Sequence, residues 1–501
     1  MQDARDRLEP LWPPLLEKAL WLLLGCGATL PLLLPERIAS VDLWNHVAIH
    51  EVQRQALRGE GHMVPFYALH LDAYPYYAGY VVLGLWRLLL PPEMAAHAAL
   101  ASAHVLWVAA VWWLCRVWGC RRELALLAFA GCYSMSTWYG FLSYALALPL
   151  VVVAVVWATR LMDAPRADRV VITALVLLLL YEAHVESYAA GGVLAGGTAL
   201  LHRDRWRRLS WLLAASLPSL LLAAWWCGTL DDDEKPKNLQ YLYGPLKDRL
   251  GEWHAAHLWQ EGWAGMVPGL VLTVAAAALV QARWGIPLPP RMRPALGWGV
   301  GALALHLLLP KEVHGSTWGL SLRTGPFLVL AALLCWQWLP RWCLRVGIPV
   351  VAAVCLLRDV QAWSFHQRFS EYTAPVVEQL KRTPPGARAV VVNRDDRVLG
   401  SRVHHLGHVA ALWVVYGAVT RHIFEFAGSH LGVVREIWLP PASVTMDEPP
   451  DRWAHRLDRI LLQGHDEEFV QRALAAGYEP IWQHDRWIMF APASPWDVSK
   501  R

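Results

Sequence analysis

Residues 141–159 read FLSYALALPLVVVAVVWAT and include no charged side chain. A transmembrane α-helix needs about 20 consecutive, predominantly apolar residues, so this stretch is long enough to cross a bilayer. Three arginines follow it, at positions 160, 166 and 169. Because loops rich in Lys and Arg stay on the cytoplasmic side, the stretch predicts a membrane helix whose C-terminal end faces the cytoplasm.

Similar apolar runs lie on both sides of this stretch. The chain is 56% hydrophobic, whereas soluble domains are about 45–50% apolar. The net charge of +4 is small and gives no reason to expect a nucleic-acid partner. We predict a polytopic α-helical membrane protein with about eleven spans, at 15–34, 95–115, 122–138, 141–159, 170–182, 187–202, 209–228, 264–283, 295–309, 322–340 and 343–358.

Arginine-rich loops orient these spans. They lie at 116–122, 160–169, 203–208, 283–293 and 341–345, all on one side of the membrane, and the positive-inside rule makes that side cytoplasmic. This order requires that residues 75–91 do not cross, so we expect an interfacial or re-entrant helix there, with Arg87 at the lipid headgroups. The N-terminus is then cytoplasmic and the C-terminal region extracytoplasmic.

The character of the sequence changes after the last span. We expect a transmembrane module at 1–358, with long outer loops at 35–94 and 229–262, a linker at 359–383 and a soluble α/β domain at 384–501. In that domain, strand patterns at 387–393, 434–439 and 459–462 alternate with helical patterns at 402–418 and 466–476, before a hairpin at 478–491. Strands that alternate with helices indicate an α/β layer.

The first outer loop carries a regular series of polar residues. We expect Ser40 to cap a helix, and the spacing of four puts Asp42, His46 and His50 on one face of it. Such a face suits a divalent metal, or one carboxylate that acts as a base among imidazoles. On spacing alone, a solvated amphipathic helix on the outer surface is the favoured alternative, and the interpretations stay open.

A second polar group interrupts an apolar run at 181–188, YEAHVESY. Ionisable residues within a span are costly and usually face a cavity or a partner. If the run breaks into two helices, Glu182, His184 and Glu186 lie at the outer mouth of the module. A simple loop between two helices is the alternative.

Two further charged segments flank late spans. Lys311, His314 and Arg323 are cations at the outer headgroup level that could bind a phosphate, and snorkelling at the interface is the alternative. The acidic run at 231–234 is interpreted as a solvated segment, with metal binding as the minority interpretation.

Four stretches, in order, resemble the GT-C superfamily of membrane glycosyltransferases, and in particular its poorly characterised bacterial members with a C-terminal soluble domain. They are spread over residues 15–340 and read VDLWNHVAIHEVQRQALRGEG (41–61), YPYYAGYVVLGLWRLLLPPEMAAHAAL (74–100), WYGFLSYALALPLVVVAVVWATR (138–160) and LLPKEVHGSTWGLSLRTGPFLVL (308–330). The first looks like the family's first outer loop, with an acid just after the first span. The last is similar to the late span that begins with a proline and contains an arginine.

The resemblance implies a location in the bacterial inner membrane and a sugar donor linked to polyprenyl phosphate. It implies transfer on the outer face with inversion at the anomeric carbon, and it makes Asp42 the general base. Arg323, Lys311 and His314 would stabilise the leaving lipid phosphate. The other predicted substrate-binding residues are His46, His50, Glu182 and His184. Some members use a divalent metal, for which His46, Glu182 or Glu186 would be the ligands here.

Other functions fit parts of the same pattern. A catalytically inactive assembly subunit on a GT-C scaffold is one, and a transporter is another, although no internal repeat of the kind found in many transporters is visible. A metal-dependent hydrolase built on Asp42, His46, His50 and His184 is a third.

Overall fold

The structure, a computed structural model, describes residues 10–69, 75–200, 204–229, 240–243, 293–314, 317–318, 320–394, 409–418, 434–436 and 457–493. The chain forms two compact units. We call them the helical unit, Met1–Leu34, Pro75–Val81 and His97–Ser364, and the mixed unit, Pro35–Tyr74, Val82–Ala96 and Phe365–Arg501. The predicted span 264–283 and the acidic run 231–234 lie outside the described residues.

The described α-helices include the apolar runs and several polar or amphipathic segments. They are α1 (Pro14–Leu33), α2 (Leu43–Arg58), α3 (Tyr77–Arg87), α4 (Pro92–Val117), α5 (Met135–Tyr139), α6 (Leu142–Asp163), α7 (Ala167–Ala183), α8 (Val185–Leu200), α9 (Arg205–Thr229), α10 (Arg293–Leu308), α11 (Leu320–Arg323), α12 (Gly325–Cys335), α13 (Arg341–Arg382), α14 (Leu412–Val415) and α15 (Glu467–Ala475). A ten-residue 3₁₀ helix occupies Arg122–Gly131, and short ones occupy Trp336–Trp338 and Val409–Ala411.

Four described helices are long and apolar enough to cross a membrane, which makes the chain an integral membrane protein. They are Pro14–Leu33, Pro92–Val117, Leu142–Asp163 and Arg205–Gly228, and two shorter apolar helices lie at Pro294–Leu308 and Gly325–Cys335. The predicted count of about eleven is not confirmed. The predicted span 122–138, for example, is a 3₁₀ helix followed by the five residues of α5. A run of apolar residues thus marks burial without fixing one continuous α-helix.

Two predicted features of the helical region are clear in the backbone. The apolar run 170–202 breaks at His184, whose extended backbone (φ −171°, ψ 119°) separates α7 from α8. The helix α3 has only 11 residues, about 16 Å at 1.5 Å per residue, so it is too short to cross the hydrocarbon core of about 30 Å.

Close backbone contact joins α8 and α10. A Cβ atom on Gly197 would lie 2.7 Å from the carbonyl oxygen of Gly297, a distance at which any side chain would push the helices apart. Small residues let helices approach in this way within membranes. Beside this contact, the indole of Trp298 donates a hydrogen bond of 3.0 Å to the carbonyl of Phe327, which ties α10 to α12.

The mixed unit contains a four-stranded sheet. Its strands are β5 (Ala389–Asn393), β7 (Arg459–Gln463), β8 (Tyr478–His484) and β9 (Trp487–Pro492), in the order β5-β7-β9-β8. The first pair is parallel and the others are antiparallel. The helix α15 joins β7 to the hairpin, and its residues Phe469 and Ala473 pack into the core formed with the sheet. The predicted strands, helix and hairpin of this region are therefore present.

The remaining strands lie elsewhere. The segment predicted as a strand at 434–439 appears as β6 (Val434–Glu436), which pairs antiparallel with β1 (Tyr67–Leu69) of the first loop and not with the four-stranded sheet. In the helical unit, β2 (Gln240–Leu242), β3 (Glu312–His314) and β4 (Thr317–Trp318) form a small antiparallel sheet. The residues predicted as a linker, 359–383, are almost all helical, because α13 continues through them as far as Arg382.

Candidate active site

The acid of the first loop stands at the start of a buried helix. Asp42 is the N-cap residue of α2, and its carbonyl accepts a hydrogen bond of 3.1 Å from the amide of His46. Its partly exposed side chain makes no capping hydrogen bond. The prediction that Ser40 caps this helix is wrong, because the helix begins at Leu43 and Ser40 is fully buried upstream of it. Asp42 thus takes the cap position without using its carboxylate as the cap.

A buried ion-pair network holds α2 in place. The Glu51 side chain, only 6% exposed, accepts hydrogen bonds from Arg54 Nε at 2.9 Å and from Arg87 Nη2 at 3.3 Å. The amide of Gln55 donates to the same carboxylate at 3.3 Å. Because Arg87 ends α3, this carboxylate fixes the helix that carries Asp42 against its neighbour within the mixed unit.

The two histidines of α2 are uncharged at neutral pH because burial lowers their pKa values. Burial lowers the pKa of His46 to about 4. Burial also lowers the pKa of His50 to about 4, and the positive charge of Arg87 acts in the same direction. Both imidazoles are therefore uncharged at neutral pH. The spacing of four places Asp42, His46 and His50 on one side of α2, as predicted. His46, however, is largely buried inside the protein.

Acidification is expected to destabilise the protein through His46. Its folded-state pKa lies below the unfolded value of 6.5, so the stabilisation is complete above pH 6.5 and is lost as the pH falls towards 4. The loss is about 3 kcal/mol at pH 4. Thermal unfolding midpoints of the purified protein between pH 4 and 8 measure it. We expect a shallower pH dependence in His46→Gln and an unchanged one in the control His465→Gln, which replaces an exposed histidine; equal slopes in all three proteins would contradict the argument.

The second polar group lies around the break between α7 and α8. Glu186, in the first turn of α8, binds Arg323 at the end of α11 with an Oε2–Nη1 distance of 2.5 Å. Both side chains are largely buried, with exposed fractions of 23% and 11%. The guanidinium lies 4.5 Å from the ring centroid of Phe141 and 5.6 Å from that of Tyr144. Arg323 is therefore held by one carboxylate and two aromatic rings.

His184 belongs to the same group of side chains. Its ring makes edge contacts with Tyr144 and Tyr76, at centroid distances of 5.0 and 4.7 Å. Tyr144 in turn donates a hydrogen bond of 2.5 Å from its hydroxyl to the carbonyl of Arg323. His184 and Arg323, predicted as separate substrate-binding residues, thus contact the same tyrosine.

The backbone fixes Tyr76 beside the break. Its amide donates to the carbonyl of Glu182 at 2.8 Å, and its carbonyl accepts from Ser143 Oγ at 3.3 Å. Its φ of +94° is rare for a residue other than glycine, and such strain concentrates at functional sites. Glu182 contributes its backbone here, while its side chain is partly buried.

Lys311 and His314 lie on the segment that leads to Arg323. The Lys311 amide donates to Leu242 at 2.9 Å, and the Lys311 carbonyl accepts from the amide of Leu320 at 3.2 Å. The second bond anchors the start of α11 beside Lys311. His314 is the last residue of β3, in register with Gln240.

Sequence reasoning missed Phe141, Tyr144 and Tyr76. All three stand in apolar stretches, where an aromatic residue looks like ordinary core. The segments 74–100 and 138–160, which resemble the GT-C superfamily, contain them, but the resemblance implies no role for these rings. Their contacts with His184 and Arg323 connect residues far apart in the chain, which local spacing does not reveal.

The predicted metal ligands do not form a cluster among the described residues. In that part of the chain, no group of three His, Cys, Asp or Glu side chains is placed to hold a metal ion. Glu186 is paired with a guanidinium and His46 is buried. We therefore assign no step to a metal, and the candidates His46, Glu182 and Glu186 stay predictions as ligands.

Comparison with solved structures gives one protein in two states. The chain is similar to the apo crystal structure of ArnT from Cupriavidus metallidurans, with a TM-score of 0.61 and 12% identity, over 95% of this chain and 97% of that one. It is similar to the same protein bound to undecaprenyl phosphate, with a TM-score of 0.59 and 13% identity, over 94% and 97% of the two chains. No family model and no curated protein matches the sequence. ArnT is a GT-C glycosyltransferase, and this chain therefore has the GT-C fold.

Proposed function

We propose that the protein is a membrane glycosyltransferase that moves a sugar from a polyprenyl-phosphate-linked donor to an acceptor on the outer face. The observation that carries the proposal is the likeness to ArnT over nearly the whole of both chains, together with the undecaprenyl phosphate bound in one ArnT structure. The membrane orientation predicted from the sequence, with a cytoplasmic N-terminus and an extracytoplasmic C-terminal domain, agrees with this location.

Asp42 is the proposed general base. As the acceptor hydroxyl attacks the anomeric carbon, its proton passes to the carboxylate, while the bond to the phosphate oxygen breaks and its electron pair stays with the phosphate. A direct attack of this kind inverts the configuration. The position of Asp42 supports the role, because its side chain is partly exposed and is not used to cap α2. A positioned base contributes about 10²–10⁴-fold to a rate.

Arg323 is the proposed ligand of the lipid phosphate. A guanidinium binds phosphate oxygens through a planar fork of donors, and charge that develops on the leaving group is stabilised by fixed cations. Lys311 and His314 precede it on the same segment and are proposed to assist. His50 and His184 are proposed to bind the substrate.

Arg323→Met is expected to weaken binding of undecaprenyl phosphate by about 10- to 100-fold, because hydrogen bonds to charged groups are worth about 1.5–3 kcal/mol. Native mass spectrometry of the detergent-solubilised protein, titrated with the lipid, measures the affinity. The control is Arg160→Met, which removes an arginine of the same unit that lies 5.1 Å from the ring centroids of Trp113 and Trp157. Absence of lipid binding by the unmodified protein would overturn the proposed function.

A further inference from the structure

Arg323, the residue proposed to bind the lipid phosphate, already has an anionic partner in the structure. Arg323 Nη1 donates a hydrogen bond of 2.5 Å to a carboxylate oxygen of Glu186. A phosphate oxygen would accept from the same kind of donor, since guanidinium groups pair with carboxylates and phosphates through the same N–H groups. The two anions are therefore chemically equivalent as partners of Arg323.

The surroundings of Arg323 restrict where a second anion can bind. The rings of Phe141 and Tyr144 lie close to the guanidinium, and aromatic rings of this kind contact the flat face of an arginine. Hydrogen bonding is confined to the edge of the group, where its N–H donors point. Glu186 occupies part of that edge.

Glu186 has a second favourable interaction besides its contact with Arg323. It lies in the first turn of α8, immediately after the break at His184. A negative side chain near a helix N-terminus is stabilised by the helix dipole. Glu186 therefore keeps one favourable interaction when its contact with Arg323 is lost.

We propose that Glu186 is an exchange partner that holds Arg323 when no lipid phosphate is bound and competes with that phosphate when it is. This inference rests on the proposed function. Competition between Glu186 and the lipid phosphate matters because the donor and the product of the transfer differ in charge. The donor is a phosphodiester with one negative charge, whereas the released polyprenyl phosphate is a monoester with up to two. An arginine without a counter-charge would bind the product more tightly than the donor, and Glu186 favours release of the product.

The test is the affinity of Glu186→Gln for undecaprenyl phosphate, measured by native mass spectrometry beside the unmodified protein. Competition predicts an affinity about tenfold higher in the variant, equivalent to about 1.4 kcal/mol. If Glu186 only positions Arg323, the variant binds the lipid more weakly, and that result overturns the inference. An unchanged affinity overturns it as well.

Two further measurements keep the result interpretable. The control Glu17→Gln removes the partner of Arg122 in a different Glu–Arg pair of the helical unit, with an N–O distance of 2.8 Å, and should leave the affinity unchanged. The rise in thermal midpoint on adding the lipid should be larger in Glu186→Gln than in the unmodified protein, even if the variant is less stable without lipid. Failure of the unmodified protein to bind would contradict the proposed function, whereas binding without a gain in the variant contradicts only the exchange.

Discussion

Asp42→Asn is expected to lower the rate of sugar transfer by about 10²–10⁴-fold, the usual contribution of a positioned general base. The variant should fold normally, because Asn and Asp are equally good N-cap residues and the Asp42 side chain makes no capping hydrogen bond. Transfer to acceptor from a polyprenyl-phosphate sugar, followed with the purified protein in lipid nanodiscs, measures the loss.

The same variant separates an enzyme from an inactive scaffold. If Asp42 acts only in the chemical step, Asp42→Asn should bind undecaprenyl phosphate as tightly as the unmodified protein does. Glu60→Gln, which replaces an exposed carboxylate just after the same helix, is the matched control and should transfer sugar normally. Full activity in Asp42→Asn would remove the proposed base, and no activity in any of the three proteins would favour an assembly subunit.

Much of the fold could be predicted because it depends on local composition. The uncharged run at 141–159 lies within α6, and the ionisable residues at 182–186 mark the break between α7 and α8. Strands 389–393 and 459–463 and the final hairpin appear where β-branched and apolar residues alternate with turn signals. Each feature is determined by residues within a few positions of one another.

The candidate site could be predicted only in part, because its contacts are long-range. Glu186 and Arg323 were both candidates, yet nothing in their spacing of 137 positions shows that they bind each other. The ring contacts of Tyr144 with His184 are equally invisible in the sequence. Burial was also underestimated for α2, where the periodicity fits a solvated helix but His46 is only 8% exposed. Packing by distant segments decides such cases.

The end of the last predicted span shows a different limit. The predicted span 343–358 ends at the charged pair Arg358 and Asp359, and charges are costly in a membrane. The structure buries both within the helical unit, and α13 continues past them. Arg358 Nη2 binds Asp359 Oδ1 at 2.8 Å, while its N–H groups donate to the carbonyls of Ala130 and Phe129 at 2.9 and 3.0 Å. Arg358 therefore caps carbonyl groups at the end of the 3₁₀ helix Arg122–Gly131.

Arg358→Leu is expected to be the most destabilising single change considered, at about 3–5 kcal/mol, which is typical of removing one partner of a buried ion pair. The carboxylate of Asp359 would stay buried, with side-chain exposure of 2%, and would lose its counter-charge. Its Oδ2 packs closely against α1, because a Cβ atom on Gly27 would lie 2.7 Å from it. The thermal midpoint of the purified protein in detergent measures the loss. Arg208→Leu, which breaks an exposed contact of 3.4 Å with Asp163, should change it little, since surface pairs contribute about 0–1 kcal/mol.

The double variant Arg358→Leu/Asp359→Leu identifies the cause of that loss. Replacing both members of a buried pair by apolar residues is often neutral or stabilising, so the second substitution should restore most of the midpoint if the unpaired carboxylate is responsible. The carbonyls of Ala130 and Phe129 lose their donor in both variants. If the double variant is as unstable as the single one, the missing hydrogen bonds to the 3₁₀ helix cause the loss, and the arginine acts mainly as a cap. Because one explanation predicts that the second substitution restores the midpoint and the other predicts no change, one comparison of midpoints decides between them.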